Sequence, residues 1–114
     1  MSIPHRTLDF LPDQCSQIHT RRKTRTFRLG DRSTHYLPGE PILLTELGLQ
    51  LLTTVMIVNV KVKRAASFTK EDLKGTEFKS LKEACDKLRS IYRLPFIRPQ
   101  TVFSIIDWNY MEET

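Results

Sequence analysis

Arg21-Arg22-Lys23-Thr24-Arg25-Thr26-Phe27-Arg28 is the stretch on which the reading of this chain turns. It lies where a helical pattern gives way to a strand pattern. Before it, Leu11, Cys15 and Ile18 recur at i, i+4 and i+7, one face of a helix, and Pro12 suits a first helical turn, which predicts a helix over Pro12 to Thr20. After it, Thr24 to Leu29 reads as a strand stopped by the Gly30-Asp31 turn signal. The stretch itself brings one lysine, two hydroxyls and a dense positive field. A hydroxyl is a poor nucleophile until a base takes its proton, and a lysine is a poor base until its surroundings lower its pKa. These are the raw materials of a small hydrolytic site that still needs a carboxylate from elsewhere.

Working outward, Leu8-Asp9-Phe10 reads as a short strand, Leu37 to Glu40 as a turn and Ile42-Leu43-Leu44 as a buried strand. Gly48 to Thr54 reads as a hairpin connection. Val55 to Lys63 is the clearest strand: Met56, Val58, Val60 and Val62 form one apolar face, and Asn59, Lys61 and Lys63 share the other with Val55 and Ile57. Two capping boxes follow, Thr69 with Asp72 and Ser80 with Glu83. The first opens a single turn over Lys70 to Leu73. The second opens a helix in which Leu81, Ala84, Cys85, Leu88, Ile91 and Tyr92 keep helical spacing, until Pro95 and Pro99 forbid continuation. Val102 to Trp108 closes the chain as a strand. Because strands do not alternate with helices, the class is α+β: one domain over residues 1–114, a small curled sheet or barrel of about five to six strands with two main helices.

No apolar run approaches the ~18 residues of a membrane helix and no signal-peptide core opens the chain, so a cytoplasmic protein without a membrane partner is expected, as a monomer. Cys15 and Cys85 both fall on apolar helical stripes and read as reduced core thiols. The four glycines make neither a phosphate loop nor a dinucleotide fingerprint, and no serine has a nucleophile elbow around it. His5, His19 and His35 are scattered, without ligands at zinc spacing, so neither metal nor cofactor is expected. The net charge of +5 is local: six basic residues lie between Arg21 and Arg32 against one acid, Asp31. Such a cluster suits an anionic partner, nucleotide or RNA phosphate, or is simply a solvated basic face.

What chemistry remains rests on Lys23, Thr26 and a carboxylate. In a regular strand Thr24, Thr26 and Arg28 share one face while Lys23, Arg25 and Phe27 share the other. Lys23 therefore meets Thr26 only if it sits before the strand, in the turn, with its stem folded back. Arg28 then lies beside the nucleophile, placed to hold a carbonyl or anionic oxygen. A lysine acting as a base near neutral pH needs its ammonium destabilised by about 4 kcal/mol relative to water. Burial with Arg22 and Arg28 nearby supplies this; an exposed Lys23, the alternative, does not.

The same stretch resembles the G-x-K-x-x-T-x-R signature of the ASCH domain, a relative of the PUA RNA-binding barrel. His35 to Glu40 is similar to the aromatic-x-x-Gly-acid turn that follows that signature, Glu77 with the helix from Leu81 to Tyr92 resembles its second block, and Phe103 to Trp108 its closing strand. The likeness spans about residues 8 to 110 and is closest to small bacterial amidohydrolases that deacetylate N4-acetylcytidine. It implies a catalytic set of Lys23, Thr26 and Glu77, with Arg28 binding substrate and Arg21 and Arg22 adding phosphate-binding charge. It implies an acylated nucleoside or RNA as partner; a non-catalytic RNA-binding module and a ribonuclease are the competing expectations. Three departures stand out. Arg21 replaces the signature glycine, Glu40 followed by Pro41 replaces the usual aspartate, and residues 49–54 lengthen the second hairpin.

Overall fold

The structure, a computed structural model, describes residues 6–111; His5 lies outside them. The elements in chain order are β1 (Thr7–Phe10), α1 (Pro12–His19), β2 (Arg25–Leu29), β3 (Pro41–Glu46), β4 (Gln50–Arg64), α2 (Leu81–Tyr92) and β5 (Val102–Tyr110). Short 3-10 turns at Ala65–Ser67 and Lys70–Leu73 lie between β4 and α2. All five strands join one curled sheet in the order β1-β3-β4-β5-β2, with β1 parallel to β3 and every other pairing antiparallel. This is the expected α+β architecture with five strands. Among the described residues no helix is long and apolar enough to cross a membrane.

The sheet parts two apolar clusters, and β5 shows how. Phe103 and Ile105 enter the cluster that α2 covers with Ala84 and Leu88. Ile106 and Trp108 enter the other, which Cys15 and Ile18 of α1 cover together with Leu8, Phe10, Ile42, Leu44, Val55 and Ile57. The alternation is the two-residue period of a strand buried on both sides.

Helix ends follow local chemistry. Pro12 opens α1 with Asp13 in the first turn. The helix stops at His19, one residue earlier than its pattern suggested, because Arg21 turns left-handed at φ 61°. The Arg21 N–H donates to Ile18 O at 3.0 Å and the Arg22 N–H to Gln17 O at 2.9 Å. These two bonds form a Schellman ending. The glycine of the signature position is replaced by arginine, yet the backbone keeps the geometry that glycine favours. In α2 the Ser80 hydroxyl accepts the Glu83 N–H at 3.1 Å, as its capping box predicted, and Arg93 ends the helix at φ 55°.

Three readings are corrected. The β3–β4 loop is only the three residues 47–49, and β4 starts at Gln50, so most of Gly48 to Thr54 is strand. The apolar face assigned to Met56, Val58, Val60 and Val62 is broken by a bulge: Ile57 pairs with Trp108 and Asn59 with Asp107, leaving Val58 as an extra residue. The parity of the strand changes there, so Val55 and Ile57 are buried and Val58 is 48% exposed. Third, both cysteines are free, but only Cys15 belongs to a core. Burial, reinforced by Glu46, pushes its thiol up to about 11. Cys85 is half-buried beside a surface groove. His19 and His35 are exposed.

The corrected register is testable by urea melts. Ile57→Ala is expected to cost about 2–5 kcal/mol, the usual price of a core cavity, whereas Val58→Thr should change stability by less than about 0.5 kcal/mol. Equal costs would contradict the bulge.

Candidate active site

Lys23 stands in the short segment between α1 and β2, directly after the Schellman turn. Its N–H donates to Gln17 O at 3.1 Å, and its carbonyl accepts the Tyr110 hydroxyl. So fixed, the backbone sends the side chain inward, where it is only 1% exposed. Its Nζ donates to Glu77 Oε2 at 2.6 Å and lies 6.0 Å from the ring centres of both Phe10 and Phe78.

Glu77 comes from the irregular segment ahead of α2, and backbone contacts bring it there. The carbonyl of Gly75 accepts the Thr24 N–H at 2.8 Å and the Arg25 N–H at 3.1 Å, lashing the segment to the start of β2. Gly75 sits at φ +78°, and a Cβ there would lie 2.3 Å from Thr24 Oγ1. The Arg25 guanidinium adds a second tie, to the Asp107 carboxylate and, at 2.9 Å, to Glu71 O. A third is Asp72, buried and held by Lys63 at 2.8 Å and Lys61 at 3.3 Å from β4.

Thr26 is buried on β2 on the sheet face it shares with its pairing partner Ile106. Arg28, two residues on, lies over the Phe10 ring at 4.8 Å and donates to Asp9 O at 2.7 Å. Lys23, Thr26, Arg28 and Glu77 all line one cavity of about 200 Å³ whose walls include Phe10, Phe27, Phe78, Leu88 and Tyr92. The turn position of Lys23 thus lets it share a cavity with Thr26 despite strand alternation. Its ammonium bonds Glu77, and the Thr26 hydroxyl has no side-chain partner among the described residues.

Burial is the main cause holding the Lys23 ammonium below the usual lysine pKa. Glu77 opposes it and Arg28 adds to it. Burial lowers the Arg28 guanidinium as well, though an arginine keeps its charge. Arg22, expected to help depress Lys23, is exposed and outside the cavity. Arg21 is also outside it, with its guanidinium over the Tyr110 ring at 4.9 Å. Among the described residues no group of three metal-ligating side chains occurs.

Two cavity residues escaped the sequence reading. Gln14, 9% exposed, donates to the second Glu77 oxygen at 3.4 Å. Its signal was present: a polar residue three positions after Leu11, on the apolar stripe of α1. Asp9 was read only as a strand residue; its carboxylate accepts the Gly48 N–H and, at 3.1 Å, the Thr45 hydroxyl, pinning the β3–β4 turn to the cavity wall.

No protein-family profile matches the sequence, and no curated protein matches it. Solved structures do. The ASCH domain from Lactobacillus crispatus JV V101 superposes with a TM-score of 0.69 at 12% identity, covering 94% of this chain and 80% of that one. The fold is that of an ASCH domain. Protein EF3133 from Enterococcus faecalis V583, of the family DUF984, also gives a TM-score of 0.69, at 13% identity over 97% of this chain and 78% of its own. The hypothetical protein PH0355 gives 0.62 at 19% identity, covering 90% and 97%. At such identities the ASCH likeness is one of backbone architecture, and the cavity's chemistry is read from its own residues.

Two measurements probe this geometry. Gly75→Ala should lower stability by about 1–3 kcal/mol in urea melts, through its left-handed backbone and the clash with Thr24; a neutral result would contradict the crowded, left-handed setting of residue 75. The second uses pH. Because folded Lys23 releases its proton more readily than an unfolded lysine, the unfolded state binds more protons between the lowered value and ~10.4. The burial penalty is complete below that window and gone above it. The stability of wild type relative to Lys23→Met should therefore rise as pH climbs toward ~10.4, and a flat or falling difference would count against a depressed Lys23.

Proposed function

We propose that the cavity is the active site of an amidohydrolase that deacylates N4-acetylcytidine or a related acylated pyrimidine nucleoside. The observation that carries this reading is the convergence of Lys23, Thr26 and Glu77 on one cavity, with the amine withdrawn from water.

In this mechanism uncharged Lys23 turns from Glu77 to take the proton of the Thr26 hydroxyl as that oxygen attacks the amide carbonyl. The tetrahedral oxyanion is met by Arg28 and nearby backbone N–H groups. Its collapse breaks the C–N bond as the proton that Lys23 took from Thr26 passes by way of the Glu77 carboxylate to the departing amine, and an acyl-Thr26 ester remains. Water then attacks the ester with Glu77 accepting its proton, and collapse releases the carboxylic acid as Glu77 returns that proton to the Thr26 oxygen. The aromatic walls fit a flat base, and apolar Leu88 lets the acyl group pack without water.

The competing RNA-binding reading drew on the basic cluster of residues 21–32. Part of that charge is engaged within the fold, Lys23 with Glu77, Arg25 with Asp107 and Arg28 with Asp9 O, while Arg21, Arg22 and Arg32 stay exposed. That observation favours the hydrolase.

Release of cytidine from N4-acetylcytidine, followed by chromatography, is the direct assay. Thr26→Ala and Lys23→Met should each slow it at least about a hundredfold, with circular dichroism confirming the fold. Wild type inactive across a panel of acylated nucleosides overturns the proposal, and cleavage of labelled RNA in its place would indicate a ribonuclease.

A further inference from the structure

A buried carboxamide calls for a reason. Gln14 sits in the first turn of α1 beside buried Cys15, one turn before Ile18, and is itself buried. Withdrawing such a group from water costs free energy unless its polar atoms find partners. Among the described residues the Gln14 side chain has one hydrogen bond, donated from Nε2 to Glu77 Oε1 at 3.4 Å. The atom that faces Glu77 must be the nitrogen, because an ionised carboxylate only accepts. The neighbouring residue, Asp13, pairs with Lys87 of α2 at 2.5 Å and so ties this turn to the helix that follows the Glu77 segment.

Glu77 is held as backbone more firmly than as side chain. The Thr76 hydroxyl donates to Leu73 O at 2.6 Å and accepts the Phe78 N–H at 3.2 Å, which fixes the main chain on both sides. The carboxylate has two partners among the described residues, Lys23 on one oxygen and Gln14 on the other. The proposed reaction takes the first away, since Lys23 must turn from Glu77 to reach the Thr26 hydroxyl. At that moment Gln14 alone restrains a side chain that water can reach. The other charged groups lining the cavity are Lys23, Arg28 and Asp9, and Asp9 is already engaged by Thr45 and Gly48. A neutral donor has an advantage over another cation here. It orients the carboxylate without stabilising its ionised form as strongly, so Glu77 can still take up a proton and give it back.

We infer that Gln14 is a positioning residue, which keeps the Glu77 carboxylate turned into the cavity while Lys23 is engaged with Thr26. The inference rests on the hydrolase reading for its kinetic consequence. Its structural part, restraint of Glu77 beside Lys23, holds whatever reaction the cavity performs.

The test compares wild type with Gln14→Met, which keeps the length of the side chain and removes the donor. In steady-state deacylation of N4-acetylcytidine, kcat should fall at least about tenfold with KM nearly unchanged, because Gln14 acts through Glu77 and not on the substrate. A second readout needs no turnover. In protein labelled with 13C-lysine, the Lys23 signal, assigned against Lys23→Met, should titrate at lower pH in Gln14→Met than in wild type. A carboxylate free to swing away opposes the effect of burial less. Gln17→Met makes the same change further along α1 and outside the cavity, and should move neither readout. An unchanged Lys23 midpoint in Gln14→Met, a loss that falls on KM instead of kcat, or an equal loss in Gln17→Met overturns the inference. If wild type deacylates nothing, the hydrolase reading fails by itself and the titration decides: a lowered midpoint upholds Gln14 as the restraint on Glu77, and an unchanged one overturns it.

Discussion

The 2.6 Å contact between Lys23 Nζ and Glu77 Oε2 is the interaction around which the cavity is built. Withdrawing an ammonium from water costs several kcal/mol, and a facing carboxylate offsets this only when both groups are held in place. The chain supplies that restraint through backbone. A left-handed arginine ends α1 where Lys23 turns inward, the Tyr110 hydroxyl fixes its carbonyl, and the carbonyl of Gly75 binds the Glu77 segment to the first residues of β2. Glu77 is 19% exposed at its side chain while Lys23 is sealed, so the pair is asymmetric. Solvent reaches the carboxylate more readily than the amine, and it is burial of the amine, opposed by the carboxylate, that lowers the lysine pKa.

Much of this was legible in the chain. The periods of α1 and α2, the Ser80 cap and the closing strand depend on neighbours a few residues apart, and local pattern reports such neighbours well. The β4 face was misread because a bulge depends on what lies across the sheet: nothing near Val58 announces that Ile57 and Asn59 will pair with adjacent residues of β5. In the cavity, the lysine, threonine and arginine were visible as one short stretch. Glu77 was reached only through a family likeness, since it lies 54 residues from Lys23 and meets it through tertiary structure. Gln14 could have been found from its place on an apolar stripe; Asp9 gave no such sign.

Charge illustrates the difference between composition and surface. The cluster at residues 21–32 looks like the protein's positive face in one dimension, yet in three half of it, Lys23, Arg25 and Arg28, turns into the fold while Arg21, Arg22 and Arg32 stay exposed. Arg25 joins β2 to Asp107 and to the segment ahead of α2, and Arg28 reaches back to β1. The less crowded arginines after α2 remain directed at solvent. Counting charges along a chain identifies material for recognition, and only the fold decides which of it is spent on internal ties.

The bulge at Val58 carries one more consequence. Deleting that single residue would leave every flanking side chain of β4 on its present side, since Val55, Ile57 and Val60 already alternate once Val58 is removed from the count. What the ribbon would lose is its local coiling. Val58 therefore works as a hinge pin for curvature: it bends the longest strand so that one sheet can wrap toward both helices, and a straighter strand would splay the walls of the cavity that the amine and the alcohol both line.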